Sequence, residues 1–403
     1  MNIDFICYHC GRAYSGGEVC PECGEPLAIR SLAEPPREVF SRRPVSMWDY
    51  AALLPVADAA NIVSLSEGAT PLVDAPRLAA SAGLGQVVIK NEMTNPTGSF
   101  KDRQISAGIS HAKEIGAGTV AVVSSGNVAC AAAAYAARAG MKAVMFMHSH
   151  AASSKVAMAS LFGGRVVQVD TPSASAVFDL CIAACKKFGW YHLSTAGMYN
   201  AYNVEGSKTI AYELYQQTGG DLPDWVVAPV GGGGLLGGIW RGFLDLQRLG
   251  LIEKPPRLAG VQATGCAPLK QAIESGASFL ETLKHPWPNP ETIAGGIADD
   301  ILFDGHTVLP AIRTTGGAAV AVDDDATLAA LRQMAAQEGL LCEPTSAVAV
   351  AALSRLPGAG ANTRVCCVIT GSGAKDFSAA QAQAPAPLRI GPSLDELDRV
   401  LAR

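Results

Sequence analysis

Lys101 lies in the run of residues 95–102 and follows a Gly-Ser turn at the predicted start of a helix. Burial favours the neutral form of a lysine amine, and a neutral amine is the nucleophile that forms a Schiff base with an aldehyde. A lysine held in this way on a rigid element is suited to carry pyridoxal phosphate in an enzyme that acts on amino acids. The alternative is a solvated helix start, and Lys101 alone does not decide between the two interpretations.

A second candidate site follows a predicted strand and consists of Ser124, Ser125, Gly126, Asn127 and Val128. A turn from strand to helix presents free backbone amides and the positive end of a helix dipole, which suits the carboxylate of an amino acid. The Asn127 amide could also donate a hydrogen bond to the phenolic oxygen of the cofactor. Taken alone, such a turn is more typical of an ordinary helix N-cap.

A run of four glycines, Gly231, Gly232, Gly233 and Gly234, joins a predicted strand to an apolar helix that includes Leu235. Without Cβ atoms the backbone amides can wrap around a phosphate, whose charge the helix dipole supports. The run is neither a Walker A loop nor a complete dinucleotide-binding fingerprint. A plain tight turn rarely needs four glycines, so the run predicts a site for the cofactor phosphate.

Thr370 also stands at the end of a predicted strand, in the run Thr-Gly-Ser-Gly. A hydroxyl can bond the pyridine nitrogen of the cofactor without keeping that nitrogen protonated. A neutral pyridine favours elimination over transamination, so this residue type indicates a lyase. By itself the run is a weak signal.

Two CxxC pairs, each followed by glycine, lie near the N-terminus and consist of Cys7, Cys10, Cys20 and Cys23. Two such pairs provide the tetrahedral thiolate ligation that suits zinc. A segment of about 30 residues cannot fold on so small a core without the metal. We therefore expect a structural zinc ribbon, with a ribbon that has lost its metal as the alternative. His9 is not expected to be a ligand.

The composition excludes several classes of protein. The chain has 403 residues and a formal net charge of −5, with 49% hydrophobic and 17% charged residues, which is typical of a folded protein with a large core. No long basic run indicates a nucleic-acid partner. No apolar stretch is long enough to span a bilayer, and no signal peptide is evident, so we expect a cytoplasmic enzyme without a membrane partner.

The elements that position these residues follow from apolar runs bounded by Gly or Pro. Strands are predicted at 87–89, 119–123, 143–147, 165–169, 225–230, 258–262 and 365–369. Helices are predicted at 99–114, 127–139, 154–162, 205–218, 326–338, 346–353 and 393–402. Short apolar strands that alternate with helices indicate an α/β fold with parallel strands covered on both faces.

Together the motifs resemble the fold-type II pyridoxal phosphate enzymes, and most closely the threonine synthase family. The lysine run at 95–103, the asparagine turn at 125–127 and the segments 205–211 and 343–347 occur in the family's order. The resemblance covers nearly the whole chain, and some members carry an N-terminal cysteine ribbon. It implies the tryptophan synthase β-like fold of two open, twisted α/β domains, usually in a homodimer.

The resemblance also implies a division of the chain into domains. The zinc ribbon would be residues 1–30, and the large cofactor-binding domain residues 31–94 and 191–392. The small domain with the asparagine turn would be residues 95–190, and a C-terminal tail would be residues 393–403.

Four positions depart from the family where threonine synthases hold the phosphate of O-phosphohomoserine. By alignment, the family has Thr, Asn, Ser and Arg where this chain has Val128, Gly232, Met198 and Asn203. A phosphate dianion needs charge-assisted donors, and Asn cannot replace a bidentate Arg. The departures predict a different leaving group.

The sequence therefore predicts a lyase in which Lys101 removes the α-proton of a small amino acid and a β- or γ-group departs, in an ammonia-lyase or replacement reaction. O-phosphohomoserine is not the expected substrate. Three alternatives stay open. The first is a true threonine synthase that holds phosphate through Lys155 or Arg103. The second is a β-replacement synthase that uses another nucleophile, and the third is a non-catalytic homologue that binds pyridoxal phosphate.

Overall fold

The computed structural model of the chain describes residues 2–149, 153–171, 174–375, 381, 384 and 386–401. Its strands, in chain order, are β1 (Ile3–Ile6), β2 (Ala13–Tyr14), β3 (Ala28–Ser31), β4 (Leu72–Asp74), β5 (Gln86–Asn91), β6 (Thr119–Val123), β7 (Lys142–His148), β8 (Arg165–Val169), β9 (Tyr191–His192), β10 (Trp225–Pro229), β11 (Arg257–Ala263), β12 (Ala318–Val322) and β13 (Arg364–Ile369).

The helices, in chain order, are α1 (Pro76–Ala82), α2 (Lys101–Glu114), α3 (Asn127–Ala139), α4 (Ser153–Leu161), α5 (Ala174–Phe188), α6 (Ala201–Val204), α7 (Thr209–Gln217), α8 (Gly234–Arg248), α9 (Pro268–Ser275), α10 (Phe279–Thr282), α11 (Gly305–Thr314), α12 (Asp324–Glu338), α13 (Pro344–Ala351) and α14 (Leu394–Leu401). Within the described ranges, none of the helices combines the length and hydropathy that crossing a bilayer requires.

The larger sheet has the strand order β12-β11-β10-β13-β5-β4, and its pairs are parallel except for the antiparallel edge pair of β4 with β5. Every residue of β10 is buried. Trp225 and Val227 belong to one apolar core, and Val226 and Ala228 belong to another. Because neighbouring side chains of a strand point to opposite faces, both faces of this sheet are covered, as its continuous apolar strands require.

The smaller sheet has the strand order β8-β7-β6-β9, and all of its pairs are parallel. Val120 and Val122 of β6 pack into a core with Ile105 and Ile109 of α2. Ala121, between them, packs on the other side with residues of α5. This packing fixes α2 against the sheet, so its first residue, Lys101, has a rigid support.

The N-terminal segment forms a three-stranded antiparallel sheet of its own in the order β2-β1-β3. The ring of Tyr8 lies 4.7 Å from the ring of Trp240, measured between centroids. The Arg241 guanidinium donates a hydrogen bond to the Ile29 carbonyl at 3.3 Å. The segment is therefore docked on α8, the helix that follows the four glycines.

Arg103 is the centre of a fully buried ion network. Its Nε donates to Glu92 at 2.7 Å, and its Nη1 donates to Glu213 at 2.5 Å, while Lys90 donates to Glu213 at 2.6 Å. The network ties α2 to β5 and α7. Arg103 is thus not available to a substrate phosphate, which removes one of the two donors of the threonine synthase alternative. The side chain of the other, Lys155, lies outside the described residues.

Several predicted elements match the structure at both ends, namely those at 119–123, 127–139 and 165–169. The predicted helix at 205–218 is divided into a 3-10 turn (Glu205–Lys208) and α7. Other elements were not predicted, and two of them illustrate the physical reasons. The strand β12 is rich in alanine, so its apolar signal is weak, and α11 contains Pro310, which argues against a helix interior.

Candidate active site

One cavity of about 480 Å³ collects the carboxyl ends of strands from both sheets. Val123 ends β6, Val230 follows β10 and Thr370 follows β13, and this edge is where open α/β sheets bind their ligands. A larger groove of about 880 Å³ contains none of the predicted site residues. The predicted residues that line the cavity are Lys101, Gly231, Gly232, Gly233, Gly234, Leu235 and Thr370.

The Lys101 amine is held in this cavity by two oxygen acceptors. Its Nζ donates to Gln104 Oε1 at 3.1 Å and to Thr195 Oγ1 at 3.4 Å. Burial lowers the pKa of Lys101 to about 8, although nearby carboxylates oppose this shift. The amine therefore has a substantial neutral fraction just above neutral pH, which both nucleophilic attack on an aldehyde and proton abstraction require.

Four carboxylates line the same cavity, those of Asp179, Asp299, Asp300 and Asp304. Burial raises the pKa of Asp304 to about 7 and also raises the pKa of Asp299. Burial lowers the pKa of His192, another lining residue, so its imidazole is neutral at pH 7. Among the described lining residues, Lys101 is thus the one side chain that carries a positive charge at neutral pH.

The glycine run has a packing role that the sequence did not reveal. A Cβ atom on Gly231 would lie 2.5 Å from Asp299 Oδ2, and one on Gly232 would lie 3.0 Å from the ring of Phe303. Gly233 has φ +105°, a left-handed conformation that favours glycine. The glycines therefore let the segment that contains Asp299 and Phe303 approach the N-terminus of α8 closely.

Thr370 is buried at the end of β13 with its hydroxyl in a fixed network. Its Oγ1 lies 2.9 Å from Ser346 Oγ, which also accepts a hydrogen bond from the Gly371 amide at 2.8 Å. These bonds orient the Thr370 hydroxyl at the cavity wall, where the sequence predicts contact with a pyridine nitrogen.

The predicted substrate turn does not contribute to the described cavity lining, which contains none of Ser124, Ser125, Gly126, Asn127 and Val128. The Asn127 side-chain amide instead donates to both carboxylate oxygens of Glu343, at 3.0 and 3.1 Å. Because Glu343 precedes α13, this contact ties the smaller α/β unit to the larger one. The structure thus gives Glu343 a role that its sequence run did not suggest.

The positions that depart from the threonine synthase pattern are not gathered in the cavity. Of the four, Gly232 is among its lining residues. Val128 and Met198 pack against apolar cores. Asn203 is fully buried and donates to the Ser194 carbonyl at 2.7 Å. Three of the four positions therefore do not form the wall of the described cavity.

The four N-terminal cysteines form one cluster, in which the sulfurs of Cys7, Cys10, Cys20 and Cys23 all lie within 4.8 Å of one another. The Cys7 and Cys23 sulfurs are 3.4 Å apart, and the Cys10 and Cys20 sulfurs are 3.7 Å apart. A tetrahedral zinc ion with four Zn–S bonds of about 2.3 Å would place its sulfurs about 3.8 Å apart. The cluster therefore has the dimensions that could hold such an ion.

Comparison with known proteins agrees with this geometry. The family model of pyridoxal-phosphate dependent enzymes matches residues 63–371, which include Lys101, the four glycines and Thr370. The chain belongs to the pyridoxal-phosphate dependent enzyme family. For this pyridoxal-phosphate dependent enzyme, the α/β fold-type II architecture predicted from the motifs is confirmed.

The enzyme is similar to proteins named threonine synthase. It is 35% identical to threonine synthase of Methanocaldococcus jannaschii, with 98% of each chain covered, and 37% identical to that of Methanosarcina acetivorans, with 92% of this chain and 91% of the relative covered. The resemblance inferred from the motifs is thereby confirmed. The processed threonine deaminase isoform 2 of Solanum lycopersicum superposes with a TM-score of 0.67 at 21% identity, over 85% of this chain and 96% of that one, which shows the shared fold.

The residues of this pyridoxal-phosphate dependent enzyme fit its cofactor. A buried lysine with a lowered pKa, a glycine run at the N-terminus of a long helix and a buried hydroxyl line one cavity. Sequence reasoning missed Gln104 and Thr195. The first lies three residues after Lys101 on the same helix, so helical spacing could have indicated it. Thr195 lies after β9, and its contact with Lys101 depends on the fold.

Proposed function

We propose that this enzyme is a lyase that removes the α-proton of a small amino acid and expels a β- or γ-substituent other than phosphate. The charge of the cavity supports the proposal. Lys101 is the one cation among its described lining residues at neutral pH, beside four acidic side chains, two of which have a pKa raised by burial. A phosphorylated side chain would bring a dianion to this wall without a second cation to receive it.

The cofactor, when bound, supplies the electron sink that makes the α-proton acidic. The backbone amides of residues 231–235 would hold its phosphate at the N-terminus of α8. The Thr370 hydroxyl would meet its ring nitrogen, and the Asn127 amide would donate to its ring oxygen in place of Glu343. The turn at 124–128 would bind the substrate carboxylate, while the neutral Lys101 amine accepts the α-proton on Nζ.

A comparison of substrates tests this proposal. With the purified, cofactor-loaded enzyme, we expect 2-oxoacid release from serine, threonine or their amino analogues. Phosphate release from O-phosphohomoserine should be at least about 100-fold slower, because a buried phosphate that lacks two charge-assisted hydrogen bonds loses about 1.5–3 kcal/mol for each. The two products are measured separately, as phosphate and as 2-oxoacid, over the same range of substrate concentrations.

Substitution of an acidic residue of the cavity wall provides a second test of the substrate preference. Asp300→Asn removes one negative charge from the wall and should raise the rate with O-phosphohomoserine relative to serine by a few fold, as expected for an effect of about 1 kcal/mol. Asp325→Asn, at an exposed position in α12, is the matched control and should leave the ratio unchanged. Turnover of O-phosphohomoserine alone, at a rate typical of enzymes, would contradict the proposal.

Threonine synthase is the second candidate function. The relatives of that name that match 98% and 92% of the chain favour it. It would require a second cationic donor for the substrate phosphate, besides Lys101, from outside the described cavity lining. The same substrate comparison decides between the two candidates, since threonine and phosphate would then form together from O-phosphohomoserine.

We also propose that the N-terminal cysteine cluster binds a structural zinc ion. Its four sulfurs lie close enough for tetrahedral ligation. Four thiolates complete the shell of the ion, so no open position is left for a substrate. The docking of the segment on α8 through Tyr8 and Ile29 supports a structural role.

Replacing Cys20 by serine should lower the bound zinc from about one ion per chain to almost none, because structural zinc sites depend on a complete ligand set whose binding contributes about 10–16 kcal/mol in isolated fingers. Elemental analysis of the purified protein measures the metal, and thermal unfolding measures the loss of the ribbon. Cys181→Ser, at a buried cysteine of α5, is the control and should retain its zinc. Equal zinc in wild-type and Cys20→Ser protein would contradict the assignment.

A further inference from the structure

Gln104 is placed so that its side-chain oxygen meets the Lys101 amine. It lies on α2, three residues after Lys101, and is fully buried. The distance from Lys101 Nζ to Gln104 Oε1 is 3.1 Å. Thr195 Oγ1 is a second acceptor for the same amine, at 3.4 Å. A buried ammonium loses its hydration, so these two oxygens replace part of the water that a protonated Lys101 needs.

Ser207 determines which end of the Gln104 amide faces Lys101. The Gln104 Nε2 donates to Ser207 Oγ at 3.0 Å, which turns Oε1 towards the amine. A Cβ on Gly206 would lie 2.0 Å from the Arg103 carbonyl, so the glycine allows the close approach that brings Ser207 to α2. Without Ser207, the amide could rotate and present two N–H donors to the lysine, which also donates.

The charged groups near Lys101 act on the same amine through space. Burial lowers the pKa of Lys101 to about 8, while Asp299, Asp304 and Glu343 raise it in opposition. The amine also lies 4.6 Å from the ring centroid of Phe100, a contact that favours the cation. Gln104 is uncharged, so its contribution is local and depends on the orientation of its oxygen.

We propose that Gln104 and Thr195 are positioning residues, which hold the Lys101 amine while it carries the proton taken from the substrate, and that Ser207 orients Gln104 for this task. The inference rests on the proposed function, because it assumes that Lys101 is the base that takes the α-proton. The bond from the α-carbon to its proton breaks, the proton joins the Nζ lone pair, and the electron pair of the broken bond stays with the substrate, for which the cofactor would supply the electron sink. The resulting ammonium then donates to Gln104 Oε1 and Thr195 Oγ1.

The pH dependence of cofactor attachment tests the positioning role of Gln104 and Ser207 without relying on turnover. In attachment, the neutral Lys101 amine forms a C=N bond with the aldehyde carbon of pyridoxal phosphate, and the aldehyde oxygen leaves as water. We would add pyridoxal phosphate to the full-length chain freed of cofactor, follow the rate by absorbance, and identify Lys101 by mass spectrometry after borohydride reduction. The rate rises with pH through the pKa of the amine.

Three variants give distinct expectations for the midpoint of that profile. Gln104→Met removes the acceptor at similar volume and should lower the midpoint by about one pH unit. Gln104→Glu keeps an acceptor and adds a negative charge, so it should raise the midpoint by about one unit. Ser207→Ala leaves Gln104 in place but releases its orientation, and should shift the midpoint down by a smaller amount.

A matched control separates this role from a structural one. Ser110 also lies buried on α2, where its Oγ accepts a hydrogen bond from the Val63 amide at 2.9 Å. Ser110→Ala should lower thermal stability without moving the midpoint. On substrate, Gln104→Met should lower kcat for α-proton exchange by about 10-fold with KM changed less than about twofold, while Gln104→Glu should recover part of that loss at higher pH.

The possible failures are distinguishable. If wild-type protein does not attach pyridoxal phosphate at Lys101, the proposed function falls and this inference falls with it. If wild-type protein attaches the cofactor but the midpoints of Gln104→Met, Gln104→Glu and Ser207→Ala equal that of Ser110→Ala, this inference alone is overturned.

Discussion

Replacing Lys101 by alanine is expected to abolish covalent attachment of pyridoxal phosphate and to lower kcat by about 10⁴-fold or more, because a positioned general base alone contributes about 10²–10⁴. The fold should survive, since the hydrogen bonds of the Lys101 amine to described residues are two, of 3.1 and 3.4 Å, at a cavity wall. The mass of the borohydride-reduced protein reports attachment. Deuterium uptake at the α-carbon of the substrate reports catalysis.

Lys113→Ala is the matched control for this experiment. Lys113 lies on the same helix but is exposed, and its amine donates to the Ala60 carbonyl. This variant should bind the cofactor and turn over substrate like the wild type. If Lys101→Ala retained a reducible covalent adduct with pyridoxal phosphate, another lysine would hold the cofactor, and the assignment of Lys101 would be wrong.

Replacing Arg103 by methionine should lower the free energy of unfolding by about 3–5 kcal/mol, the usual result of removing one partner from a buried ion network. The carboxylates of Glu92 and Glu213 would remain buried without their guanidinium. In the intact network, Arg103 and Lys90 outweigh the effect of burial and hold the pKa of Glu213 at about 2. Urea unfolding at pH 7, followed by tryptophan fluorescence and circular dichroism, measures the loss.

An exposed arginine provides the comparison. Arg138 lies in the last turn of α3 and is exposed, so Arg138→Met should change the unfolding free energy by less than about 0.5 kcal/mol. A variant at Arg103 with wild-type stability but lost activity would instead indicate that the guanidinium reaches the substrate. That result would restore the threonine synthase alternative in which Arg103 holds phosphate.

The parts of the fold that the sequence revealed are those with strong local signals. Parallel strands buried on both faces, such as β6 and β10, appear as short continuous apolar runs and were located to within a residue or so. The edge strand β4 was missed, because an edge strand of three partly exposed residues lacks such a run. Local patterning also does not report strand order, so the antiparallel pairing of β4 with β5 came from the structure alone.

The sequence predicts those parts of the candidate site in which a reactive or small residue stands at the end of a predicted strand or the start of a predicted helix. Lys101, the glycine run and Thr370 each stand at the end of a predicted element, and the fold brings them to one cavity. Asp299 was not predictable, because it belongs to no motif and reaches the site by close packing against Gly231. Such contacts between distant segments follow from tertiary structure, which residue types alone do not encode.

Arg103 and Asn203 show that the position of a residue in the sequence does not reveal what its side chain contacts. From sequence, Arg103 is a candidate donor to a substrate phosphate, and Asn203 stands where the threonine synthase family has a phosphate-binding Arg. Both side chains are completely buried, Arg103 between two glutamates and Asn203 against the Ser194 carbonyl. Adjacency to Lys101 or to a family motif determines where a residue lies on its helix, but not what its side chain contacts.

Among the described residues β13 is the last strand in sequence, yet it lies inside the larger sheet, between β10 and β5. On the ribosome, β5 emerges early, and its parallel partner Arg364–Ile369 follows only after the whole smaller sheet has been made. At about 5–20 residues per second, this delay is on the order of 15–60 s. Throughout it, Val87 and Ile89, which are buried in the finished sheet, belong to a strand that lacks its parallel neighbour. During this interval the nascent chain therefore carries an unpaired apolar strand edge, which is a template for pairing with other chains.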